Sequence, residues 1–110
     1  MKYTVEITET AEVELDEAYR WIRDEYSPEY AVRWCAGLLD AADTLETFPE
    51  RCAVAPESEI LGRDIRQLIH GKRRRAYRIL FEVQGRTVYI LHIRHAARQT
   101  AGKPLSENDQ

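Results

Sequence analysis

The chain has 110 residues, of which 44% are hydrophobic and 32% charged, and its formal net charge is −3. This length allows one domain with one core, and the balance of residue types is typical of a globular protein. Because no apolar run approaches the ~18 residues that cross a bilayer, and the N-terminus lacks the apolar segment of a secretory signal, we expect a cytoplasmic protein without a membrane segment.

A strand and a helix are predicted at the start of the chain. Residues 2–8 alternate between polar and apolar, which is typical of a half-buried strand. Thr8 or Thr10 can then cap a helix of about 16 residues, with Glu9 and Glu12 in its first turn. The apolar stripe of this helix comprises Ala11, Leu15, Ala18 and Ile22.

A second helix is predicted to begin at residues 27–29, where the run Ser-Pro-Glu combines a capping serine, an early proline and an early acid. Apolar residues at spacings of 3 or 4 continue from Ala31 to Phe48, and Pro49 is expected to stop the helix. The break between the two helices is short, so they should form an antiparallel hairpin.

Three strands are predicted for the second half. Residues 49–62 have no clean period and are interpreted as a loop. Period-two patterns then cover residues 65–69, 75–84 and 87–95, joined by a basic turn and a glycine turn. The order β-α-α-β-β-β predicts an α+β fold in which an antiparallel sheet has the helical hairpin on one face. The opposite face should stay open and carry the function, and residues 99–110 should form a polar, flexible tail.

Each of the last two strands divides its side chains between the two faces. On the first of them we assign Tyr77, Ile79, Phe81 and Val83 to the covered face, which leaves Arg78, Leu80 and Glu82 on the open face. On the last strand we assign Tyr89, Leu91 and Ile93 to the core, and Val88, Ile90, His92 and Arg94 to the open face. This choice avoids the cost of burying Arg94 without a partner.

The charges are distributed unevenly along the chain. Residues 1–59 hold 5 Lys/Arg against 15 Asp/Glu, whereas residues 60–110 hold 11 against 4. This asymmetry points to an anionic partner, either nucleic acid or an acidic protein segment, although a merely dipolar surface would look the same. The candidate binding residues are Arg66, Lys72, Arg73, Arg74, Arg75, Arg78, Arg94 and Arg98. Arg78 could instead pair with Glu82 or a helix acid, and residues 72–75 could be a solvated turn.

No metal or cofactor is expected. Cys35 and Cys52 lack the spacing of a zinc site, and Cys35 falls on the stripe of the second helix as a core residue. His92 and His95 are three residues apart on a strand, so they should point to opposite faces and cannot chelate one ion. His95 is more typical of a hydrogen-bonded structural histidine than of a general acid or base.

Several segments together resemble the RelE/ParE superfamily of toxins from type II toxin–antitoxin systems. They are the opening strand at residues 3–7, the run Leu-Glu-Thr-Phe-Pro at 45–49, residues 65–68, residues 76–83 and residues 88–98. The resemblance covers residues 1–98 and implies one toxin domain, a cognate antitoxin and growth arrest. We expect an acidic, amphipathic antitoxin segment to cover the open face around Arg66, Arg78 and Arg94.

The two branches of this superfamily imply different targets. RelE-like members cut mRNA on the ribosome, and ParE-like members inhibit DNA gyrase. Arg78 matches the phosphate-contacting arginine of the nuclease branch, but Ala96 stands where that branch has a second basic or histidine residue. A nuclease would therefore have to use Arg78, His92 and His95. The favoured target is DNA gyrase, bound without enzymatic chemistry; the alternatives are a metal-independent mRNA endonuclease and a non-toxic binding module.

Overall fold

The computed structural model describes residues 2–96, and the predicted tail therefore lies outside the described part. The strands are β1 (Thr4–Ile7), β2 (Ala53–Val54), β3 (Ile65–His70), β4 (Tyr77–Gln84) and β5 (Thr87–His95). The helices are α1 (Glu9–Glu25), α2 (Pro28–Asp43) and the short α3 (Glu57–Leu61), with 3-10 turns at Thr44–Glu46, Pro49–Arg51 and Arg73–Arg75. Among the described residues, no helix has the length and apolarity needed to span a membrane.

Both long helices begin at the predicted caps. The Thr8 hydroxyl accepts from Ala11 N (3.3 Å) and donates to Ile90 O (2.7 Å), which fixes the start of α1 against β5. The Ser27 hydroxyl accepts from Tyr30 N (3.0 Å) at the start of α2. The prediction that α2 runs to Phe48 is wrong. The α-helix ends at Asp43, and the residue before a proline is disfavoured in the helical region.

The predicted α+β architecture is confirmed, but its sheet is mixed. The strand order is β1-β5-β4-β3-β2. The pairs β3–β4 and β4–β5 are antiparallel, as expected for hairpin-linked strands, whereas β1 pairs with β5 in parallel. The helical hairpin covers one face, where Trp34, Leu38, Ile79 and Phe81 belong to one buried cluster. Cys52 lies in this core and the half-buried Cys35 packs against it.

The side-chain assignment on β5 was only half right, because the strand contains a bulge. Leu80 lies opposite His92 but Phe81 lies opposite Ile90, so Leu91 is an extra residue. After the bulge, Ile93 is in the core and His92 and Arg94 lie opposite Leu80 and Arg78, as predicted. Before the bulge the alternation is reversed. Val88 and Ile90 are buried in the main core, Tyr89 lies opposite Glu82, and Leu91 packs against a second cluster.

The second face of the sheet is not fully open. Residues 55–61, predicted as loop, include α3, and Ala55 and Glu57 of this segment are buried against this face. Ala55, Ile65 and Leu80 form a second small buried cluster there, with Leu91 packed against it. The 49–62 segment was misjudged because its few apolar residues serve a short helix and isolated contacts, which leave no period to detect.

Candidate functional site

Arg78 lies on the central strand β4, on the face opposite the helical hairpin, and its side chain is almost completely buried. Its Nη1 and Nη2 donate to the two carboxylate oxygens of Glu57 on α3 (2.8 and 2.5 Å), and its Nε donates to Gln67 Oε1 (2.9 Å). Burial acts to raise the pKa of Glu57, but the hydrogen bonds from Arg78 and from the backbone outweigh it and leave the pKa below its ordinary value. Arg78 thus carries an anionic partner supplied by the same chain.

Arg94 and His92 share a second carboxylate, that of Glu14. Strand β1 pairs with β5 only as far as Ile90. Beyond Ile90, the side chain of Glu14 from α1 binds the edge of β5. Its Oε1 accepts from Ile93 N (2.9 Å), and its Oε2 lies 3.0 Å from Arg94 Nε. His92 Nδ1 is 3.2 Å from both oxygens. One acid therefore caps a strand edge and neutralises an arginine of the sheet face.

His95 is on the other face, as the spacing predicted. Its ring lies 4.9 Å from that of Tyr77 and 6.1 Å from that of Trp21, both in edge-on contacts. Among the three residues that nuclease chemistry would require, Arg78 and His92 face one side of the sheet and His95 faces the other. The fold does not bring them together around one point.

A basic groove lies at one end of the sheet, between α2 and the turn that joins β3 to β4. It has a volume of about 750 Å³. Helix α2 contributes Tyr30, Arg33, Trp34 and Gly37 to its wall, and the turn contributes His70, Gly71, Lys72, Arg73 and Arg75. Four cations thus surround this groove, which we call the α2–turn groove, and no carboxylate lines it among the described residues.

The walls of the α2–turn groove are fixed by close contacts. A Cβ at Gly37 would lie 3.3 Å from the His70 imidazole, so the absence of a side chain there lets His70 approach α2. Burial lowers the pKa of His70, which favours the neutral ring. The guanidinium of Arg75 lies over the rings of Tyr26 (4.6 Å) and Tyr30 (5.2 Å). Hydrogen bonds with the two tyrosines raise the Arg75 pKa.

The turn itself is held in a conformation that side chains rarely adopt. Gly71 has φ +94°, and a Cβ there would lie 2.7 Å from Arg75 O. Arg73 has φ +55° although it is not a glycine. Arg33, Lys72 and Arg73 make no ion pair within residues 2–96.

The remaining predicted binding residues have other surroundings. Arg66 Nη1 donates to Glu50 O (3.2 Å) and Cys52 O (2.8 Å), which fastens the start of the 50–54 segment to β3. Arg98 and the side chain of Arg74 lie outside the described part of the chain. Sequence reasoning missed Arg33, because it stands in the acidic half and nothing in the pattern links α2 to a turn about 40 residues later. The described residues contain no group of three His, Cys, Asp or Glu side chains placed to hold a metal ion.

Comparison with known proteins adds two findings. A sequence profile described as the ParE toxin of the type II toxin–antitoxin system parDE matches residues 5–100. Among solved structures, a chain of the chromosomal ParDE TA system from P. aeruginosa superimposes with a TM-score of 0.69 at 24% sequence identity, covering 86% of this chain and 96% of that chain. At this identity the structural likeness bears on the fold alone. Among curated proteins, none matches this chain significantly.

Proposed function

We propose that this chain, which belongs to the ParE toxin family and is the toxin component of a type II toxin–antitoxin system, arrests growth by binding DNA gyrase. A cognate antitoxin neutralises it. The gyrase target is inferred from the family and from the positions of Arg78, His92 and His95, the residues that a nuclease would have to use. Binding requires a complementary surface and no titrating group.

The observation that carries this proposal is the engagement of Arg78. All three of its side-chain nitrogens donate to Glu57 or Gln67. In a nuclease this arginine would have to hold the scissile phosphate, and the phosphate would have to displace a buried carboxylate. Removing one partner of a buried ion pair costs about 3–5 kcal/mol in comparable cases. The site is therefore poorly prepared for phosphate.

The missing proton transfer argues in the same direction. A metal-free ribonuclease needs a proton acceptor and a proton donor close to the same phosphate. His92 is held at Glu14, His95 lies across the sheet, and Ala96 has no titrating group. These positions support a binding inhibitor over a ribosome-dependent nuclease, which we keep as the alternative.

Two assays on the same preparation test the proposal. In the first, purified gyrase supercoils a relaxed plasmid in the presence of increasing toxin. In the second, ribosomes programmed with a defined mRNA are incubated with the toxin, and cleavage is mapped by primer extension. We expect inhibition in the first assay and intact mRNA in the second. Undisturbed supercoiling together with codon-specific cleavage would replace the gyrase target by the ribosome.

A further inference from the structure

We infer that the α2–turn groove binds an acidic segment of the antitoxin. This inference rests on the proposed function only in naming the antitoxin as the partner. It moves the expected contact away from the sheet face around Arg66, Arg78 and Arg94.

The charges of the groove are the first argument. Arg78 and Arg94 already have carboxylate partners in this chain, and Arg66 holds backbone carbonyls. By contrast, Arg33 on α2 and Lys72 on the turn are exposed and make no ion pair within residues 2–96. Although acidic residues outnumber basic ones in the chain and its net charge is −3, no described carboxylate lines this groove. An incoming acidic segment would supply carboxylate partners.

The buried indole of Trp34 provides a probe of the groove. Trp34 is 6% exposed, and its ring lies 4.9 Å from that of Tyr77. Its Nε1 has no hydrogen-bond partner among the described residues. Buried N–H groups almost always have an acceptor, and leaving one unpaired is unfavourable. Because Trp34 lines the groove, its indole N–H signal will respond to a segment bound there.

The conformation of the turn is a second argument. Gly71 and Arg73 both have positive φ, and for an arginine this conformation is strained. Strain of this kind persists only where the surrounding structure fixes the segment, and it is concentrated at binding and catalytic sites. Here it fixes the turn that contributes Lys72 and Arg73 to the groove, while α2 contributes Arg33.

A protein segment fits the α2–turn groove better than a nucleic acid does. A groove of about 750 Å³ accommodates a small ligand or a few side chains, not a long strand. Nucleic acid carries phosphates at regular short intervals, so it would continue past the acidic residues of α2, among them Glu29 and Asp40. A peptide can confine its carboxylates to the length of the groove.

The test compares two charge-reversal variants of the full chain with the wild type. Arg33→Glu/Lys72→Glu reverses the two sides of the groove. Lys2→Glu/Arg86→Glu makes the same change in net charge at the far end of the molecule, since the 85–86 turn is at the opposite end of β4. The affinity of each for the purified antitoxin encoded beside the toxin gene is measured by calorimetry. Thermal melts establish that both variants fold.

We expect the groove variant to bind the antitoxin at least about 30-fold more weakly, and the control variant to lose less than about threefold, because paired charges at an interface couple strongly and distant ones do not. In ¹⁵N-tryptophan-labelled toxin, the Trp34 indole N–H signal should shift on binding and exchange more slowly with solvent. A Trp21→Phe variant assigns the signal. Equal losses in the two variants, or an unmoved Trp34 signal, would overturn the inference.

The failure of this inference is distinguishable from the failure of the proposed function. If wild-type toxin leaves gyrase active, the proposed gyrase target is wrong. A selective loss of antitoxin affinity in the groove variant would still support antitoxin binding in the α2–turn groove. A groove variant that binds antitoxin normally but no longer inhibits gyrase would assign the groove to the target and overturn the inference. Selective binding of a labelled 20-nucleotide DNA at the groove, with antitoxin affinity unchanged, would overturn it too.

Discussion

Glu57 on α3 and Arg78 on β4 form a buried, two-pronged ion pair on the face of the sheet opposite the helical hairpin. The pair joins a five-residue helix, too short to be stable alone, to the centre of the sheet. It also engages Arg78, which is therefore not available to hold a phosphate.

We predict that Glu57→Gln lowers the free energy of unfolding by about 3 kcal/mol, because it leaves the buried Arg78 guanidinium without its counter-charge. Glu59→Gln is the matched control, since Glu59 is exposed on the same helix and should cost less than about 0.5 kcal/mol. Urea denaturation followed by circular dichroism measures both. Equal stabilities of the two variants would show that the Glu57–Arg78 ion pair does not stabilise the folded protein.

The same pair predicts how stability depends on pH. The pKa of Glu57 in the folded protein is below its ordinary value of 4.5, so the folded state binds this proton less readily than the unfolded state does. The contribution is therefore fully present above about pH 5 and is lost as the pH falls through the folded value. Glu82, whose pKa is lowered chiefly by its hydrogen bond from Arg63, acts in the same direction.

Melting temperatures measured between pH 3 and pH 7 test this dependence. Wild-type protein should lose stability steeply below about pH 4.5, and Glu57→Gln should show a shallower slope there, because it lacks the Glu57 carboxyl group that takes up a proton in this range. If the two profiles are parallel down to pH 3, the pKa of Glu57 does not differ between the folded and unfolded states.

The sequence predicted the elements that have a strong period and missed those set by a single contact. The apolar stripe of α1 and the alternation on β4 are confirmed because each spans many residues of one pattern. The bulge at Leu91 was missed because one inserted residue leaves β5 looking like an uninterrupted strand that is apolar on both sides.

The candidate site was less predictable for the same physical reason. Lys72, Arg73 and Arg75 were identified from their charge, but their groove exists only because Arg33 and Trp34 arrive from α2. The partners Glu57 and Glu14 lie 21 and 80 residues from the arginines that they neutralise. A single sequence carries no signal for ion pairs between residues so far apart. From the sequence, these charges indicate only an acidic first half and a basic second half.

The core packing of α2 gives a further prediction. Leu38 is fully buried between the helical hairpin and the sheet, so Leu38→Ala should lower the free energy of unfolding by about 2–5 kcal/mol. Val32→Ala on the same helix is the control, because Val32 is mostly exposed and should change stability by less than about 0.5 kcal/mol. Denaturant melts of both variants measure the difference. A Leu38→Ala loss as small as that of the control would contradict the packing described above.

The last prediction separates binding from catalysis. We expect the double substitution His92→Gln/His95→Gln to retain gyrase inhibition and growth arrest, because a binding inhibitor needs no proton transfer. Some loss of stability is expected, since His95 packs against Tyr77 and His92 contacts Glu14. A thermal melt therefore accompanies the assay. As a control on each contact, the single substitutions are measured separately, so that a folding defect can be traced to one of them.

A nuclease would behave differently in the same experiment. General acid–base groups contribute about 10²–10⁴-fold to rate, so the double variant would lose mRNA cleavage on ribosomes while still folded. Cleavage by the wild type that disappears in the folded double variant would therefore overturn the gyrase target. Retained growth arrest, with supercoiling still inhibited and mRNA intact, would fit a toxin in which His92 and His95 serve only the packing of β5 between Glu14 and the aromatic rings of the helical hairpin.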